Sequence, residues 1–138
     1  HDPMHGTYGF LVHNGKHIFT YGAGPQNKGH MLLLIDPKDG KVAAAVPHND
    51  ALNHATPFVL GDHFMLQPDC VHSNNYMHII SGDPATFAKI SEWRPQHHNT
   101  NTYGGAVVGF IHPIADGRLW FRCADGVYCY DLRTSKTQ

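Results

Sequence analysis

Charge is scarce in this chain: Asp, Glu, Lys and Arg together are 15% of its 138 residues, against roughly 25% in an average soluble domain. Ten Lys and Arg face eleven Asp and Glu, so there is no basic excess with which to neutralise a phosphate backbone, and a nucleic-acid binder of that kind is excluded. No run of eighteen apolar residues exists to span a bilayer as a helix. The opening HDPMHGTYGF has neither an initiator Met nor the apolar core of a signal peptide, so the start reads as that of a processed chain or a fragment. Three cysteines, Cys70, Cys123 and Cys129, are too few and too odd in number for a disulfide framework. No window of twelve residues carries a sustained apolar stripe of helical period, which predicts almost no helix.

What the chain does contain is 41% hydrophobic residues, 11% aromatics, 14 Gly and 9 Pro. That is too apolar for disorder and too punctuated for a helical bundle, leaving a β-rich domain. Thirteen histidines outnumber Lys and Arg combined, so the net charge of -1 rises steeply once imidazoles protonate near their usual pKa of about 6.5.

The order of residues repeats. FLVHNGKHIF (10–19), FVLGDHFMLQ (58–67) and PIADGRLWFR (113–122) each read as apolar run, Gly turn, apolar run, with turn glycines at Gly15, Gly61 and Gly117. LLLIDPKDGK (32–41), HIISGDPATFAK (78–89) and VYCYDLRTSK (127–136) each place an apolar strand before Asp, a turn, then Lys. Asp36 to Lys41 and Asp131 to Lys136 span five positions; Asp83 to Lys89 spans six, implying one inserted turn residue. Asn14-Gly15, Asp39-Gly40, Asp116-Gly117 and Asp125-Gly126 are hairpin signals, since tight hairpins need positive φ. The runs MLLLI (31–35), YMHII (76–80) and LWFR (119–122) are nearly all apolar, as in strands covered on both faces.

Repeats of about 45–55 residues with some four short strands each have the period of β-propeller blades. The fold expected is therefore all-β: a partial propeller arc of about three four-stranded antiparallel blades in a single domain (1–138). The units run approximately 5–50, 51–96 and 97–138, the last one stopping before an outer strand equivalent to VAAAV (42–46) forms.

The phrases LLLIDPKDGKVAAAV and HPIADGRLWFRCADGVYCYDLR resemble the PQQ-like (quinoprotein-like) propeller repeat, whose pattern runs strand, Asp-x-x-Thr-Gly-Lys, and a Trp that docks on the next blade. The docking Trp is replaced by Ala44 in the first unit and displaced by one residue, at Trp93, in the second. The resemblance implies the C-terminal portion of a secreted or periplasmic repeat protein, acting as a non-catalytic scaffold or binding module whose partners are the remaining blades or other protein chains. The alternatives it carries are a portion of a quinoprotein dehydrogenase, with PQQ and calcium, and a His-mediated metal- or haem-contacting subunit of an electron-transfer assembly. The family's vicinal Cys–Cys pair is missing here, and Asp and Glu are scattered at turns. No cofactor is predicted and no catalytic residue is assigned.

Neutral imidazole ligates zinc and copper. The candidate metal ligands are His97 and His98, in the polar loop RPQHHNTNTYGG (94–105), together with His112 and His54 from other loops, set against a plainly solvated loop. His13 and His17 are not a pair: a two-residue turn at Asn14-Gly15 sets His13 opposite Lys16 and Val12 opposite His17, on opposite sides of the sheet. His5, His30, His48, His63, His72 and His78 are assigned only packing or surface polarity. A two-residue turn at Asp125-Gly126 sets Cys123 opposite Tyr128 and Cys129 opposite Arg122, on opposite faces, which argues against a disulfide between them. All three thiols read as small buried hydrophobes, and Trp93 and Trp120 as packing anchors. There is no Gly-x-Ser-x-Gly elbow, P-loop or dinucleotide-binding turn. The connections 20–30, 47–56, 67–75 and 94–105 form the expected polar recognition surface.

Overall fold

The computed structural model describes residues 10–23, 29–49, 55–67, 77–93, 113–123 and 126–133. They form three antiparallel sheets. Sheet I is β1 (Val12–His13), β2 (Ile18–Ala23), β3 (His30–Ile35) and β4 (Val42–His48), in that order. Sheet II is β5 (Thr56–Leu60), β6 (His63–Gln67), β7 (Met77–Ile80) and β8 (Lys89–Trp93), again in sequence order. Sheet III has three described strands, β9 (Ile114–Ala115), β10 (Arg118–Cys123) and β11 (Gly126–Asp131). The only helical turn among the described residues is a 3-10 turn at Pro84–Thr86, so the expected lack of helix holds there.

Turn chemistry makes these meanders. Asp116 and Gly117 adopt φ of 51° and 69°, positive at both central positions as a type I′ hairpin requires, and join Ala115 to Arg118. Gly61 (φ 58°) opens the two-residue link from Leu60 to His63. The repeated aspartates share one device: the Oδ1 of Asp36, Asp83 and Asp131 accepts from the backbone N–H two residues on, in Lys38, Ala85 and Arg133, at 2.8, 2.9 and 3.0 Å. This local bond turns the chain after each third strand. The residue inserted in the second unit is absorbed by the 3-10 turn, which Asp83 caps.

Two turns differ from the sequence reading. The loop at Asn14-Gly15 contains four residues, not two, because His13 pairs with Ile18. Asn14 Oδ1 accepts from the N–H groups of both Lys16 and His17, at 3.0 and 2.9 Å, which holds the wider turn closed. Between β10 and β11, Gly126 is already in the ladder opposite Cys123, so Cys129 lies opposite Trp120 rather than Arg122.

The sheets pack face to face in series. One face of sheet II presents Phe64, Leu66 and Ile80 to Phe19, Tyr21, Leu32 and Leu34 of sheet I; Phe19 and Phe64 stack with centroids 4.9 Å apart. Its other face presents Phe58, Met65 and Met77 to Leu119, Ile114, Tyr128 and Tyr130 of sheet III. The fully buried large side chains among them, such as Phe19, Phe64, Met65 and Leu66, each contribute about 1.5–3 kcal/mol of hydrophobic stabilisation. Trp93 joins the second layer through an edge-to-face contact with Tyr130 at 4.8 Å. Of the three apolar runs, only the one in sheet II is covered on both faces among the described residues. The first strands β1, β5 and β9 lie beside one another, so the three sheets share a common edge.

Candidate functional site

The two end faces of the stack are uncovered among the described residues. On sheet III the row Pro113, Trp120 and Cys129 points away from the core; all three are exposed, Trp120 by 45%, and Val127 beside them by 66%. Trp120 is thus no internal packing anchor, and Cys129 is a free, exposed thiol rather than a buried hydrophobe. On sheet I the outer row runs Thr20, Leu33, Ala45, flanked by Ile18 with Ile35 and by Met31 with Pro47. Thr20, Leu33, Ile18, Ile35 and Met31 are half-buried, while Ala43, Ala45 and Pro47 are exposed. Apart from Thr20 this row is apolar.

Register alignment explains what these faces are. β6 and β10 each follow a two-residue hairpin, so Phe64 corresponds to Leu119 and Met65 to Trp120. The cross-strand partners correspond too: Ile79 opposite Met65 matches Cys129 opposite Trp120, and Phe58 matches Pro113, whose carbonyl accepts from Trp120 N–H. In sheet II this row is covered by sheet III. In sheet III the same row has nothing over it among the described residues.

A polar cleft of about 440 Å3 lies where the turn at 14–17, the turn at Gly61-Asp62 and the segment 82–84 converge, lined by Lys16, His17, Asp62, His63 and Asp83. Lys16 Nζ pairs with Asp62 Oδ1 at 2.9 Å, and this hydrogen bond holds the Asp62 carboxyl below its ordinary range. Asn14 Nδ2 donates to the Asp62 carbonyl at 2.9 Å, and Gly82 N–H donates to His63 Nδ1 at 3.4 Å. The polar groups of the cleft are thus largely spent on one another, tying sheet I to sheet II. An apolar groove of about 320 Å3 follows the shared edge, lined by Phe10, Leu11, Val12, Phe58, Val59 and Ile114 among others.

The candidate ligands His54, His97, His98 and His112 all lie outside the described residues, as does most of the expected polar loop surface. Among the described residues no group of three or more His, Cys, Asp or Glu side chains is arranged to hold a metal ion. The sequence reading missed a buried imidazole pair: His48 of β4 meets His78 of β7 edge-to-face at 5.1 Å across the joint between sheets I and II. Glu92 lies opposite His78 in the ladder, its Oε2 3.6 Å from His78 Nε2. The signal available was the strand period, which places His78 two residues before Ile80 on the covered face.

No helix among the described residues is long and apolar enough to cross a membrane. No protein-family model, curated protein or solved structure matches the chain. The described residues form an all-β structure of three stacked antiparallel sheets, whose two largely apolar end faces are uncovered among those residues.

Proposed function

We propose that this chain is an arc of β-propeller blades of PQQ-like type, serving as a scaffold or binding module in a larger secreted or periplasmic assembly. The observation that carries the reading is the equivalence of the row Pro113, Trp120, Cys129 to the row Phe58, Met65, Ile79. The inner row is roofed by the next sheet; the outer one has no such roof among the described residues. Three further features agree with it: the in-order strand arrangement of each sheet, the shared edge formed by β1, β5 and β9, and the packing of sheet II on both sides. Contiguous exposed apolar faces mark protein interaction surfaces. The role follows from shape, since the described residues supply docking faces rather than a constellation of nucleophile, base and oxyanion donors.

The Cys129 thiol tests the reading. Alkylation of the native assembly, isolated with the partners it holds, is followed at the Cys129 peptide by mass spectrometry and compared with the unfolded chain. A further sheet over this face slows native alkylation at least about tenfold, because the thiolate must be reached to react. Equal rates in the native and unfolded protein overturn the reading.

A further inference from the structure

We propose that a second copy of this chain supplies the roof at both ends, the two copies joining head to tail so that sheet III of each packs on sheet I of the other. The proposal rests on the propeller reading above. Its own ground is that the open faces are opposite halves of an interface the chain already makes twice. The outward row of sheet III matches the side of sheet II that packs on the following sheet. The outward face of sheet I is the side turned toward a preceding one. A forward face meeting a backward face is a heterologous contact, and such contacts close into a ring when the rotation permits.

Shape agrees with this polarity. Trp120 and Val127 stand out from sheet III, whereas the outer face of sheet I is low at Ala45, with Met31, Leu33 and Ile35 beside it and Val42 exposed at one end. A projecting ring against a shelf of small side chains fills the space between two sheets better than either face does against itself. Ring size fixes the number of copies. Propellers close with about four to eight blades. Counting the sheets of the described residues, one copy gives three and three copies give nine; only two copies, with six, fall inside that range.

The test is the native mass of the purified chain and of two variants, Ala45→Glu on sheet I and Trp120→Glu on sheet III. Val127→Glu replaces the latter if circular dichroism shows it unfolded. The wild type is expected at twice 15.3 kDa. Because every head-to-tail contact uses one face of each kind, either variant alone is expected to fall to the monomer. Mixing the two at equal concentration restores a dimer, held by the one contact in which both faces are unchanged. Loss of the dimer in only one variant signals a face-to-itself contact and overturns the proposal. A wild-type monomer whose Cys129 reacts as in the unfolded chain overturns the second copy and leaves the propeller reading in place, because an arc freed of its partners exposes this face. A monomer whose Cys129 is protected overturns both, because the chain then covers the face itself.

Discussion

The carbonyl oxygen of Asp62 occupies the place where a Gly82 side chain would begin, so a Cβ at Gly82 collides with it. Gly82 lies between β7 and the 3-10 turn, and Asp62 closes the β5–β6 hairpin, so the contact locks two connections of sheet II together. The same carbonyl accepts from Asn14 Nδ2, which fixes it from the side of sheet I. Gly82→Ala must push one of these backbones aside, and overpacking of this kind costs about 1–3 kcal/mol. A fall in the urea midpoint with unchanged m-value is the expected result.

Asn14 acts from the other side of that contact. Its Oδ1 satisfies two backbone N–H groups of its own loop while Nδ2 reaches sheet II. Asn14→Ala removes all three bonds, and with net values of about 0.5–1.5 kcal/mol each it is expected to cost about 2 kcal/mol. Asn14→Asp keeps the two acceptor bonds and loses the donor, so its cost should fall between wild type and Ala in the same denaturation series.

The same residue shows how far the sequence could be read. Gly15, Gly40, Gly61 and Gly117 announced their hairpins, because each turns with φ between 58° and 92°, a local demand that a local residue answers. The length of the first loop was not legible: Asn14-Gly15 looks like a two-residue turn, but the Asn14 side chain bonds Lys16 and His17 and the Asn14 N–H donates to the His17 carbonyl, which goes with a loop of four. Burial of single residues was less legible still. Met65 and Trp120 hold equivalent positions in similar apolar strands, yet one is 1% exposed and the other 45%, because that difference is set by whether another sheet lies above. The open faces that form the candidate site are therefore properties of the stack, visible only once its order is known. His78 escaped notice for the same reason, being buried by contact with His48 some thirty positions away in sequence.

Phe64 sits at 0% exposure, stacked on Phe19 of the neighbouring sheet, and Phe19 in turn meets Phe87 edge-on at 6.3 Å. Phe64→Ala would leave a cavity between two sheets that the turns hold at fixed spacing, so collapse is limited and the cost is expected at about 3–5 kcal/mol. Trp120→Ala removes a larger ring, but from an exposed face. In the isolated monomer it should move the midpoint far less than Phe64→Ala. The ranking, read by chemical denaturation of both variants, separates internal sheet packing from the open face.

Acid should loosen the tie between the turns of sheets I and II. The hydrogen bond and charge of Lys16 lower the Asp62 carboxyl below its ordinary range, so the folded state holds its proton less tightly than the unfolded chain does. A depressed carboxylate contributes stability in full above its unfolded pKa of about 3.9 and loses it as the pH falls through the lower folded value. Both side chains are largely exposed, so the effect is small and screened by salt. Asp62→Asn keeps the backbone carbonyl that Asn14 grips and removes only the charge. The variant should therefore lie slightly below wild type in midpoint at pH 6 and low salt. The gap should close both near pH 2 and in 1 M salt, and a gap that persists under both conditions would show that the carboxylate acts through shape rather than charge.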